Sequence, residues 1–193
     1  MTSPRAARFV LASASPRRRE LLAAAGYEFD VAVADVDETL TAGESPRAYV
    51  TRIARAKADV VARQFPERAV LGADTTVVVD DETLGKPADA ADATRMLRRL
   101  SGRSHQVLTA IAVIARGGAC LETVEATLVH VAALTDEDVA WYVASGEPMD
   151  KAGGYAIQGL ASRFIPRIEG SYSNVVGLPI AAAARLLSQA GPF

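Results

Sequence analysis

The sequence predicts an α/β fold built on a mixed sheet, and three observations carry that expectation. Apolar, β-branched runs alternate along the chain with helix-patterned segments that have good N-caps. Near the N-terminus a strand, a helix and a second strand follow in quick succession, so strands and helices intermix. Later, two long β-like runs meet at Gly117-Gly118, which is a hairpin signal and therefore an antiparallel pair.

The elements read off in order. Residues 8–12 form a short buried strand. Ser15 then caps a helix over 16–25, with Pro16 at its first position, Leu21, Leu22 and Ala25 as its apolar face and Gly26 as its stop. Residues 27–33 are the second strand and 35–45 (DVDETLTAGES) a polar connection. Ser45-Pro46 opens a long helix to about residue 65. Strands follow at 69–73 and 75–79 (TTVVV), then a turn at 80–82 and the Gly85-Lys86-Pro87 loop. A helix over 89–100 precedes the hairpin runs 103–115 and 119–131. Thr135 caps a helix to 145, residues 147–177 are rich in glycine and polar groups, and a last helix spans 178–190. No repeat, low-complexity tract or linker interrupts the chain, so 1–193 reads as one domain.

Composition narrows the class. The chain has 193 residues, half of them hydrophobic, and a formal charge of -2, which argues against a nucleic-acid polymer as partner. The basic residues are uneven: Arg5, Arg8, Arg17, Arg18 and Arg19 all precede the first acid, Glu20. Cys120 is the only cysteine, no leader-like apolar stretch opens the chain, and no run approaches the roughly 20 apolar residues of a membrane span. A reducing cytoplasm and no membrane partner are therefore expected.

Five groups carry candidate chemistry. Arg17, Arg18 and Arg19 occupy the first turn of a helix, the positive end of its dipole, where cations are unfavourable by roughly 0.3–1 kcal/mol each. With Ser13 and the free N–H groups of the helix start, this mouth suits an anion; a solvated basic helix start is the alternative. Lys57 falls on the stripe Tyr49, Ile53, Lys57, Val61, either snorkelling to water or facing an anion. Asp74 follows an apolar strand, as a strand-end cap or as a carboxylate that holds metal or activates water. Lys86 sits on a stiff loop, and Thr75 adjoins Asp74. Asp35, Asp37 and Glu38 form an acidic loop, and DKAGGYAIQG supplies Tyr155 and the amide of Gln158. There is no P-loop, no GxGxxG after a strand, no zinc cluster and no nucleophile elbow.

Taken together, LASASPRRRELL, ESPRAYVTRIARAKA, GADTTVVVDDETLGKP, LSGRSHQV, DKAGGYAIQG and GSYSNVVGLP resemble the sequence blocks of the Maf family of nucleoside triphosphate pyrophosphatases, in order and spacing, over nearly the whole chain. The resemblance implies an inosine-triphosphatase-like body, an elongated twisted mixed sheet flanked by helices, with two lobes around a central nucleotide cleft. It implies hydrolysis of a nucleoside triphosphate to monophosphate and pyrophosphate with a divalent cation, Mg²⁺ or Mn²⁺. Asp74 matches the proposed general base; Ser13, Arg17, Lys57 and Lys86 match phosphate-contacting positions; Glu38 matches an acidic position that assists metal or water, so that metal falls to Asp74 and Glu38; Gln158 matches a position beside the base. Arg17, Thr75 and Gln158 resemble the dTTP/UTP subtype, whereas the 7-methyl-GTP subtype carries an aromatic residue, Gln and Glu at those three places. A homodimer is implied by the resemblance alone. So is an association with septum formation and arrest of cell division, in which nucleotide binding would be the signal. Asp74, Lys57 and Lys86 together favour an enzyme, since a sensor needs no base.

Overall fold

The computed structural model describes residues 9–191, so Arg5, Arg8 and the start of the first expected strand lie outside the described residues. The chain runs β1 (Phe9–Ala12), α1 (Pro16–Ala24), β2 (Phe29–Val31), α2 (Pro46–Ala62), β3 (Ala69–Val79), β4 (Glu82–Leu84), α3 (Ala90–Leu100), β5 (Ser104–Ile114), β6 (Cys120–His130), α4 (Asp136–Ala144), β7 (Arg167–Glu169), α5 (Tyr172–Val176) and α6 (Ile180–Gln189). Seven strands form one mixed sheet in the order β2-β1-β3-β5-β6-β7, with β4 also paired to β3. β1 is parallel to both β2 and β3, while the β3–β5, β5–β6 and β6–β7 pairs are antiparallel. The 147–177 stretch resolves into short helical turns, β7 and α5.

The sequence expectation differs from the structure at three places. The two strands expected at 69–73 and 75–79 are one eleven-residue strand, so Asp74 lies mid-strand and not at a strand end. The strand expected over 27–33 is confined to Phe29–Val31, where it pairs with β1. In α1, Leu22 is buried and Leu21 half-buried, but Ala25 is exposed; Arg18 takes the second buried place on that helix.

Alternation along β3 distributes its side chains to two faces. Ala69, Leu71 and Ala73 join Phe9, Leu11, Leu22 and the apolar side of α6. Val70 and Val78 join Val50, Ala54, Ala58 and Val61 of α2 on the other face. Further along, Val77 and Val79 pack with Leu97, Leu100, Tyr142 and Phe164.

Gly72 sets how closely α2 approaches. A Cβ there would lie 2.3 Å from the Ala54 carbonyl oxygen and 2.8 Å from the Ala58 nitrogen, both backbone atoms of α2. Gly72→Ala is therefore expected to lift the helix off the sheet, costing about 1–3 kcal/mol as overpacking does. Activity should fall with it, because Lys57 rides on the same helix. Thermal denaturation and a turnover assay check this; a wild-type melting temperature and rate would contradict the packing.

The pairing of β3 also leaves a gap. β5 covers one edge of β3 from Val70 to Val78. On the other edge β1 ends at Gly72 and β4 begins only at Val77, so 73–76 meet no strand there. The gap lies just beyond the carboxyl end of the parallel β1, where open α/β sheets form crevices.

Candidate active site

The gap opens into a cleft of about 540 Å³. The eight residues to which the sequence resemblance gives a site role, Ser13, Arg17, Glu38, Lys57, Asp74, Thr75, Lys86 and Gln158, all line it. They come from six separate segments, joined here by the fold.

Three of its charged side chains form a chain. The Lys57 ammonium donates to Asp74 Oδ1 at 2.8 Å and sits 2.7 Å from Glu38 Oε1. The side chains of Lys57 and Asp74 are only 12% and 9% exposed, whereas Glu38 is about half exposed, so the inner pair is shielded and the outer one meets solvent. Lys57 reaches Asp74 because Ile53 and Val61, one turn either side of it, are fully buried and lock that stripe of α2 onto the sheet. Burial pushes the Asp74 carboxyl above its ordinary range, and Glu38 pushes in the same direction; Lys57 and Arg18 oppose them. Tyr49, whose hydroxyl donates to the Glu38 backbone carbonyl at 3.1 Å, is raised to about 12, first by burial and then by Asp74 and Glu38.

The arginine-rich helix start divides its labour. Arg18 points inward, and its guanidinium donates to the Gly177 carbonyl (2.8 Å), the Ala73 carbonyl (2.8 Å), Ser13 Oγ (3.1 Å) and Thr75 Oγ1 (3.1 Å). The Ala73 bond fills part of the unpaired edge of β3. Arg17 stays at the rim, its side chain 29% exposed and 3.8 Å from Asp150, and Arg19 is exposed. Arg18 is thus a site-building residue that sequence reasoning did not select. Its helical spacing hints at an inward lean, but its partners on β3 and at Gly177 lie 55 and 159 residues away.

Thr75 sits on the face opposite to Asp74. Its hydroxyl meets Thr109 Oγ1 at 3.0 Å and the Gly177 carbonyl at 3.3 Å. Ser13 Oγ accepts from the Ser15 N–H and from Arg18. Lys86 and Gln158 are exposed at the cleft, and Lys86 has no ion pair or hydrogen bond among the described residues. The Gly85 carbonyl accepts from the Gly153 N–H at 2.9 Å, which ties the Lys86 loop to the 152–158 segment. A Cβ at Gly153 would lie 2.8 Å from Val77 Cγ2, and its φ of +70° also favours glycine, so this junction takes no larger residue. Asp35 and Asp37 are not among the lining residues; Asp37 caps its own loop by accepting from the Thr39 N–H. No three His, Cys, Asp or Glu side chains among the described residues cluster as a metal cage.

With that geometry in place, the comparisons with known proteins are specific. A family model described as Maf-like protein matches residues 8–190. The dTTP/UTP pyrophosphatase of Anaeromyxobacter dehalogenans strain 2CP-C is 54% identical over 189 residues, spanning 96% of this chain and 95% of that protein. The dTTP/UTP pyrophosphatase of Symbiobacterium thermophilum is 54% identical over 182 residues, 94% of this chain and 93% of its own. Among solved structures, the nucleoside-triphosphatase / dITP/XTP pyrophosphatase of Mycobacterium abscessus covers 95% of this chain and 97% of its own at 16% identity, with a TM-score of 0.44. A cleft lined by every block of the sequence resemblance, and a family match that spans it from end to end, make this chain a member of the Maf-like protein family.

Proposed function

We propose that this protein hydrolyses nucleoside triphosphates, dTTP and UTP in preference, to the monophosphate and pyrophosphate. The observation that carries the reading is the buried Asp74 carboxylate, held by Lys57 at 2.8 Å in a cleft rimmed by Arg17 and Lys86. Relatives at 54% identity that bear the name dTTP/UTP pyrophosphatase support the same substrate class.

Asp74 accepts the proton of the attacking water. Desolvation makes its carboxylate more basic than an exposed one, and Lys57 keeps it ionised and aimed. The water attacks the α-phosphorus, and pyrophosphate leaves. A triphosphate carries about four negative charges, so Arg17, Lys57 and the unpaired Lys86 neutralise and position it as the leaving oxygens gain charge. Arg17, Thr75 and Gln158 set the subtype. The Gln158 amide offers a donor and an acceptor to the N–H and C=O edge shared by uracil and thymine. The single methyl that separates those bases is worth only about 1–3 kcal/mol, so weak discrimination between them is expected.

Family membership also implies a divalent cation. Glu38 and Asp74 fit one: their carboxylates, hard oxygen donors, both border the cleft and flank the Lys57 ammonium. Mg²⁺ or Mn²⁺ bound beside that ammonium by their oxygens would neutralise phosphate charge beyond what the lysines supply.

Purified protein incubated with Mg²⁺ or Mn²⁺ and a panel of nucleoside triphosphates tests the reading. Monophosphate and pyrophosphate from dTTP and UTP are expected; the same products from 7-methyl-GTP alone would overturn the subtype. Lys86→Ala is expected to lower kcat/KM for UTP about 10²-fold with no change in melting temperature, since its side chain packs against nothing charged. Steady-state kinetics check it; a wild-type value would remove Lys86 from the phosphate site.

A further inference from the structure

Gln158 is exposed at the cleft, on a glycine-bounded turn with no secondary structure of its own. A side chain that reads a base edge needs a fixed backbone beneath it. Both flanks of the turn are in fact fastened from behind by two residues that do not carry out the chemistry. The Tyr142 hydroxyl, fully buried on α4, accepts from the Ala156 N–H at 3.1 Å and donates to Glu147 Oε1 at 2.8 Å. The same Glu147 carboxylate accepts from the Leu160 N–H at 3.0 Å and the Ala161 N–H at 3.4 Å. Its fit is close: a Cβ at Gly159 would lie 2.5 Å from Glu147 Oε2.

We infer that Glu147, oriented by Tyr142, is a positioning residue for nucleobase selection: it clamps residues 156 and 160–161 and so fixes the reach of Gln158 into the cleft. This rests on the proposed hydrolysis of pyrimidine nucleoside triphosphates. One carboxylate and one hydroxyl satisfy three backbone N–H groups on either side of the three-residue stretch 157–159, and none of these contacts involves Asp74, Lys57 or Glu38. Charge-assisted hydrogen bonds from backbone N–H groups to a carboxylate are among the stronger kinds, so the clamp is stiff where the turn itself is not.

The test compares Glu147→Ala, Glu147→Gln, Tyr142→Phe and Gln158→Ala with the wild type. For Glu147→Ala, KM for UTP is expected to rise about tenfold while kcat changes less than about threefold. The kcat/KM ratio of UTP over GTP should fall to that of Gln158→Ala, and the double variant should lose nothing further, because one pathway serves both residues. Glu147→Gln retains an amide oxygen that can accept, so it should recover most of the ratio. Tyr142→Phe removes one hydroxyl without emptying the core and should give the same effect in weaker form. Hydrogen exchange of the nucleotide-free proteins supplies a readout independent of turnover: amides 156, 160 and 161 should lose protection in Glu147→Ala while those of β3 keep it. An unchanged UTP/GTP ratio, a loss confined to kcat, or unchanged exchange at those amides would overturn the clamp. A wild-type chain that turned over no nucleotide would refute the proposed function, and exchange would still decide whether the clamp exists.

Discussion

Asp74→Asn is expected to lower kcat for UTP by about 10²–10⁴-fold while the protein stays folded. The amide preserves the shape of the carboxylate, and its oxygen still accepts from Lys57, which keeps Glu38 at 2.7 Å as its charged partner. No buried charge is therefore stranded. What disappears is the group that takes the proton. The wild-type pH profile should show the same residue. Burial raises the Asp74 carboxyl from its ordinary 3.8, so the acid limb of kcat/KM should lie above that value and vanish from the residual activity of the variant. Kinetics across pH, with circular dichroism to confirm folding, check both points. Wild-type turnover by the asparagine variant would end the assignment of Asp74 as base.

The second large effect is on stability, at Arg18. Arg18→Ala removes donors to the Ala73 and Gly177 carbonyls, to Ser13 Oγ and to Thr75 Oγ1. A buried acceptor left unpaired costs about 1–3 kcal/mol, and the Ala73 carbonyl stands on the strand edge that neither β1 nor β4 covers. A net loss of about 3 kcal/mol, or roughly 6–12 °C in melting temperature for a chain of this size, is expected. Arg18→Lys should not rescue it, because an ammonium cannot span the directions that the planar fork serves. The neighbouring Arg17→Ala makes the contrast. Arg17 sits at the rim, 3.8 Å from Asp150, so its loss should leave the melting temperature within about 1 °C and raise KM. Equal melting temperatures for the two variants would contradict the division between an inner and an outer arginine.

That division shows what could be read from the residues and what could not. Local signals were strong: Ser15, Ser45 and Thr135 each cap a helix through the side chain, and the Gly117-Gly118 turn joins two eleven-residue antiparallel strands, whereas the helix capped by Ser171 was hidden in a polar, glycine-rich stretch. The lysine at position 57 could be placed on an apolar stripe, but not opposite Asp74, because its partner is on another element. Asp74 itself misled the strand boundaries. A carboxylate between apolar runs reads as punctuation, yet β3 passes straight through it, since Lys57 answers the charge and β5 continues the ladder. Arg18 lies one turn before Leu22, which hints at its inward lean but not at its partners, while Tyr142 and Glu147 gave no distinguishing local pattern: an aromatic in a helix and an acid in a turn. Their roles exist only once segments from distant parts of the chain meet.

Hydrolysis of UTP in H₂¹⁸O, with mass spectrometry of both products, tests the central claim most directly. If water positioned by Asp74 attacks the α-phosphorus, the label enters UMP and the pyrophosphate remains unlabelled. Label in pyrophosphate, or release of UDP with inorganic phosphate, would place the attack elsewhere and contradict the arrangement of Asp74, Lys57 and Lys86 described for this cleft.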